Sequence, residues 1–271
     1  MLSPADRDMS RLLNAGDPAP VEWINAEGAS TIFLTCEHAG RAIPAALGDL
    51  GVAPEEMDRH IAYDVGAEGV ARGLADRLDA PLVLQRYSRL VIDCNRPFEA
   101  EDCVLTQSDG TLVPANADVS DEERRGRYVE IHQPLHEAIS VGLARRQAAG
   151  RPLFLVSVHS FTPVMRATGA VRDFELGLLY NRDARFAERL AETFRAANGD
   201  VTVKLNAPYH VDDLSDYTIP VHGERRGIPH VLIEVRNDLI NDVRGQKEWA
   251  ERLAGPLRLA AQSLEGTADG R

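Results

Sequence analysis

Three apolar runs in this chain end in, or contain, residues that an apolar core does not need. Thr31-Ile32-Phe33-Leu34-Thr35-Cys36 leads into Glu37-His38, and Leu153-Phe154-Leu155-Val156-Ser157-Val158 leads into His159-Ser160-Phe161. Val231-Leu232-Ile233-Glu234-Val235 carries a glutamate in its middle. A lone strand-end histidine is more often packed than functional, and a lone strand glutamate is usually ion-paired. The three together point to a site, because ligands of open α/β sheets gather beyond the carboxyl ends of strands. Two histidines and a carboxylate also form a common metal-binding set that leaves positions open for water and substrate. With His38 and His159 as two ligands, spacing favours Asp64 of Tyr63-Asp64-Val65-Gly66 as the third. Glu37, adjacent to His38, and Glu68, one helical turn from Asp64, compete for that place. Zinc held by such a set brings the pKa of water near neutrality.

The densest polar feature is Arg86-Tyr87-Ser88-Arg89-Leu90-Val91-Ile92-Asp93-Cys94-Asn95-Arg96-Pro97. Arg89 and Arg96 suit a substrate carboxylate, which an arginine grips through two parallel charge-assisted hydrogen bonds. The competing reading is structural ion pairing with Asp93 and other acids, and for Arg86 that reading is preferred. His136 and His222 are candidates to stabilise an oxyanion or shuttle a proton; His60, His132, His210 and His230 receive no role. A rival chemistry would use Cys36 or Ser160 as nucleophile, but the chain has no GxSxG elbow. A non-enzyme alternative is a protein that binds an acidic metabolite on a lapsed hydrolase fold.

These residues need elements to hold them. Strand-like runs at 31–36, 81–84, 89–93, 153–158, 176–180, 201–203 and 231–235 are interleaved with helical periodicity at about 53–78, 120–148, 185–197 and 244–264. Ser120 and Glu123 have capping-box spacing, and a bend is expected at Pro134. Residues 4–14 suit a short helix, and residues 97–119 form a long excursion of the kind that is functional or mobile. Alternating strands and helices predict an α/β sheet, largely parallel and covered on both faces. The 271 residues suit one domain, 1–271, with an N-terminal arm over about 1–28. A formal charge of −12 argues against nucleic acid as partner, and no run is long enough to span a membrane. Cys36, Cys94 and Cys103 lack metal-finger spacing and cannot all pair within one chain. The first residues lack the apolar core of a secretory signal, so the expected location is the cytoplasm.

Read jointly, these segments resemble the N-formylglutamate amidohydrolase family. The matching pieces are Cys36-Glu37-His38-Ala39-Gly40-Arg41-Ala42-Ile43-Pro44, Tyr63-Asp64-Val65-Gly66, and Ser88 through Pro97. They continue with Pro134-Leu135-His136, Val158-His159-Ser160-Phe161, and His222 through Pro229 running into Leu232-Ile233-Glu234-Val235-Arg236. The resemblance implies a three-layer α/β/α fold, similar to zinc exopeptidases and cell-wall amidases, with a mostly parallel or mixed central sheet. It implies Zn2+ or another divalent metal held by His38, Asp64 and His159, with Glu234 assisting water attack. Arg89, Asn95, Arg96, Ser160 and Arg236 are the expected substrate-binding set, with His222 or His136 at the oxyanion. The implied activity is hydrolysis of the amide bond of a small N-acyl amino acid, most simply N-formyl-L-glutamate to formate and L-glutamate. One departure is Glu37, where the family's first motif often has proline.

Overall fold

The computed structural model describes residues 11–268, and side chains up to residue 265. In chain order the main elements are β1 (Val21–Ile24), β2 (Ile32–Cys36), α1 (Ala67–Leu78), β3 (Leu82–Gln85), β4 (Gln107–Ser108), β5 (Thr111–Leu112), α2 (Asp121–Arg127) and α3 (Gln133–Ala148). They continue with β6 (Phe154–Phe161), β7 (Leu176–Leu179), α4 (Arg185–Ala197), β8 (Val203–Leu205), β9 (His230–Arg236) and α5 (Val243–Ala268).

Seven strands form one mixed sheet in the order β1-β3-β2-β6-β9-β7-β8. The central β3, β2, β6 and β9 are mutually parallel. β1 closes one edge antiparallel to β3, and β7 turns antiparallel to β9 before pairing in parallel with β8. The central strands are buried along nearly their whole length, as expected of parallel strands covered on both sides. Their two-residue period sorts side chains into two cores. Ile32, Leu34, Leu82, Leu84, Val156 and Val158 face α1, α4 and α5. Phe33, Val83 and Leu155 face α3 and the long loops. The result is the three-layer α/β/α architecture.

Several elements differ from the pattern-based expectation. Residues 89–93 are a turn, not a strand: Val91 N–H donates to Ser88 O at 2.9 Å. Leu90, Val91 and Ile92 are apolar because they fill the second core. The helix after β2 begins only at Ala67, because Gly66 adopts a left-handed φ of 80°. A Cβ there would lie 2.0 Å from Ile240 O, so this position needs glycine. The capping box from Ser120 to Glu123 is formed. The expected bend at Pro134 is a π-helical turn over Tyr128–His132, next to a proline that has no N–H to continue the regular ladder. In α5, Pro256 leaves the carbonyl of Arg252 without its helical partner, and Asn198 Nδ2 approaches it at 3.4 Å. The excursion 97–119 contains the small β4–β5 hairpin. Of the helix expected at 4–14, residues 4–10 lie outside the described residues, and residues 11–14 are not helical. Among the described residues no helix is long and apolar enough to cross a membrane.

Candidate active site

The adjacent strands β2, β6 and β9 deliver three of the expected residues to one end of the sheet. His38 follows β2 by one residue beyond Glu37, His159 lies within β6, and Glu234 stands opposite His159 in the β6–β9 register. Asp64 precedes α1, and its backbone N–H donates to His38 O at 2.9 Å, tying the two segments together.

His38, Asp64 and His159 are buried, and one potential ligand atom from each lies within 4.8 Å of the others. His159 Nδ1 is 2.8 Å from Asp64 Oδ2, and His38 Nδ1 is 3.4 Å from the same oxygen. The opposite nitrogen of each ring is held by another carboxylate. His38 Nε2 lies 2.7 Å from Asp93 Oδ1, and His159 Nε2 lies 2.8 Å from Glu37 Oε2. A carboxylate behind an imidazole fixes its tautomer and leaves the other nitrogen free as a donor to metal. Among the described residues His38 Nδ1, which is buried, has no hydrogen-bond partner. This donor set fits a divalent cation.

Electrostatics support that fit. Burial works against the charge on Asp64, but the His38 and His159 rings prevail and hold its carboxyl well below the usual range. Burial likewise opposes a charged His159, and hydrogen bonds to Asp64 and Glu37 outweigh it, raising its pKa well above the ordinary value. Three carboxylates around two imidazoles thus create a demand for positive charge. Glu234 is different: burial, with the nearby Asp64 charge adding to it, pushes its carboxyl up to about 8. Its Oε2 has no hydrogen-bond partner among the described residues.

The group opens into a cavity of about 280 Å³ whose lining includes His38, Asp64, His159, Glu234, Arg89, Asn95, Arg96 and Ser160. Arg89 donates Nε and Nη2 to Asp93 Oδ2 at 3.0 and 2.6 Å, and its Nη1 lies 3.3 Å from Asp64 Oδ1. Arg96 Nε donates to Asp102 at 2.8 Å. Asn95 Oδ1 accepts from the backbone of Tyr217 and Thr218, and its Nδ2 donates to Asp216. Ser160 Oγ donates to Val65 O at 2.9 Å, and its backbone N–H reaches Asp64 Oδ2 at 3.3 Å.

Other expected residues sit elsewhere. Glu37 is not a ligand candidate in this geometry, because it faces the far nitrogen of His159. Glu68 pairs with Arg72 and Arg86, so the preference for an ion-pairing Arg86 agrees with the structure. Arg236 engages Asp238 and Glu175 and does not line the cavity. His136 and His222 also lie outside its lining. His136 Nε2 donates to Cys94 O at 2.7 Å, so its Nδ1 accepts from His222 Nε2 at 3.0 Å. Both N–H groups of the neutral pair are therefore engaged, and neither remains for an oxyanion. Cys36 is fully buried and burial pushes its thiol well up, which is unfavourable for a nucleophile.

Tyr209, His210, His60 and Asp216 also line the cavity. Tyr209 and His210 lie in an aperiodic stretch, where nothing in sequence spacing marks them. Their segment passes close over β7 because Gly177, opposite Glu234, lacks a Cβ, which would lie 2.0 Å from Ala207 O.

The family model for N-formylglutamate amidohydrolase matches residues 30–241 of this chain. The N-formylglutamate deformylase of Pseudomonas aeruginosa is 28% identical over 193 residues, covering 64% of this chain and 69% of that protein. Among solved structures, a gene product of Agrobacterium tumefaciens is 37% identical with a TM-score of 0.89, covering 94% of this chain and 100% of that one. The N-formylglutamate amidohydrolase of Ralstonia eutropha is similar in fold, at 18% identity and a TM-score of 0.67, with 92% of this chain and 100% of that one covered.

Proposed function

This chain belongs to the N-formylglutamate amidohydrolase family, and on that premise we propose that it is a metal-dependent hydrolase of N-acyl amino acids. The simplest substrate is N-formyl-L-glutamate, which water converts to formate and L-glutamate. The observation that carries this reading is the buried His38–Asp64–His159 group, with each ring backed by a carboxylate and Glu234 across from His159. His38, Asp64 and His159 would hold a divalent cation such as zinc, which supplies polarisation of the acyl oxygen and a lowered pKa for water.

The chain's own groups account for the remaining steps. In its ionised form Glu234, whose Oε2 is buried and without a partner among the described residues, accepts a proton from the attacking water and returns it to the leaving nitrogen. Arg89 bridges Asp64 and Asp93 and keeps both carboxylates oriented toward the histidines. Ser160 braces Asp64 from β6. The cavity, about 280 Å³, is at the small end for ligand pockets, which suits a short acyl group on one amino acid.

The test is formate release from N-formyl-L-glutamate, beside its N-acetyl and N-succinyl counterparts. Turnover that a chelator abolishes and zinc restores is the expected result. Chelator-insensitive turnover, or no hydrolysis of any of these compounds by zinc-loaded protein, would contradict the proposal.

A further inference from the structure

Arg89 and Arg96 line the cavity, Arg172 adjoins it behind Tyr209, and the three are unequally engaged. Arg89 is held by Asp93 and Asp64, and Arg96 by Asp102 with Asp216 beyond it. Their charge is largely balanced before any substrate enters. Arg172 is different. Its Nη1 donates to Thr162 O at 3.3 Å and to the Tyr209 hydroxyl at 3.1 Å. Among the described residues no carboxylate lies within ion-pair distance of it, and its Nε and Nη2 make no hydrogen bond.

The Arg172 guanidinium is not itself among the cavity-lining groups and meets the cavity through the Tyr209 hydroxyl. It lies 4.8 Å from the Tyr209 ring centroid and 5.9 Å from that of Phe161, and Tyr209 lines the cavity beside Glu234. The charge of Arg172 acts on both Tyr209 and Glu234. Its position is fixed by the strand that carries His159. After β6 the chain makes a loop closed by a Val164–Val171 bridge and by Arg172 N–H donating to Pro163 O at 2.8 Å. Phe174 then stacks on Phe161 at 4.9 Å. A half-buried, pre-oriented fork of N–H donors beside a hydroxyl matches a carboxylate.

We infer that Arg172, braced by Tyr209, anchors a carboxylate of the amino-acid part of the substrate. The inference rests on the proposed hydrolase reading and deepens it. The substrate class becomes N-acyl amino acids with a free carboxylate, and amidation of the anchored carboxylate weakens binding.

The experiment compares wild type, Arg172→Gln, Arg172→Lys and Tyr209→Phe on N-formyl-L-glutamate and its two monoamides, with calorimetric titration of L-glutamate. Wild type prefers the free acid over one monoamide. Arg172→Gln raises KM for the acid about 10- to 100-fold with little change in kcat and abolishes that preference. Arg172→Lys restores part of it, and Tyr209→Phe, which removes only a hydroxyl, gives a smaller rise in KM. Unchanged KM and preference in Arg172→Gln would overturn the inference and leave the hydrolase reading standing. If zinc-loaded wild type hydrolyses neither N-formyl-L-glutamate nor its N-acetyl and N-succinyl counterparts, the titration decides. Arg172-dependent L-glutamate binding would keep the anchor and sink the hydrolase reading; absent or Arg172-independent binding would overturn both.

Discussion

At the scale of single residues, the site depends on which nitrogen each histidine presents. Asp93 and Glu37 each occupy an Nε2, so both Nδ1 atoms turn toward Asp64. Glu37→Gln keeps the side chain's size but removes the charge behind His159. It should weaken zinc binding by about 10- to 100-fold, measured by competition with a chromophoric chelator; unchanged affinity would show that Glu37 does not orient the ring. His38, His159 and Glu234 were legible in the sequence because polar residues stand out at the ends of apolar strands. The choice among Asp64, Glu37 and Glu68 was not legible. It depends on where each side chain points once strands from distant parts of the chain are neighbours. Glu37 reaches β6, where it meets Ser157 Oγ at 2.7 Å as well as His159. Asp93 appeared only as an arginine's partner, because nothing in its spacing links it to His38, 55 residues away.

At the scale of elements, the buried strands β2, β6 and β9 and the helix α4 follow directly from their apolar periods. β1 (Val-Glu-Trp-Ile) is a partly exposed edge strand, so burial does not select a continuous apolar run there. The turn at 89–93 imitates a strand because core filling and β-pairing select the same side chains. The segment carrying Tyr209 and His210 depends on a missing Cβ in β7. Gly177→Val is expected to cost about 1–3 kcal/mol of stability and to displace that segment, lowering kcat/KM as well as Tm. Gly126→Ala in α2, with nothing within 4 Å of the added Cβ, should be neutral or stabilising by about 0.5–1 kcal/mol. Thermal melts and steady-state kinetics on both variants check the contrast. Equal behaviour of the two would remove the steric argument for Gly177.

At the scale of the whole molecule, the layered architecture was legible because alternating strands and helices must bury both faces of a sheet. The reversed directions of β1, β7 and β8 were not, since strand direction is decided by connections and packing rather than by local residues. Behind the site lies a layer of buried neutral histidines whose pH response belongs to the folded molecule. Burial lowers His132 and His222 from an ordinary 6.5 to about 4. The unfolded chain therefore takes up these protons first as pH falls, and the stabilisation present above pH 6.5 is lost progressively from there toward 4. Each ring should account for about 2 kcal/mol of destabilisation by pH 5. Denaturant melts between pH 7 and 5 should show this fall, and His132→Gln should make it shallower. A slope unchanged by the substitution would mean that His132 titrates normally in the native state.

The proposed hydrolysis requires one cation shared by His38, Asp64 and His159, with Glu234 outside its ligand set. The most direct test is the zinc content of wild type, His159→Ala and Glu234→Gln after equilibration with the metal and dialysis. Wild type and Glu234→Gln should retain about one equivalent while only wild type hydrolyses substrate, and His159→Ala should retain little. Metal-free wild type, full occupancy in His159→Ala, or equal metal loss in both variants would contradict the assignment.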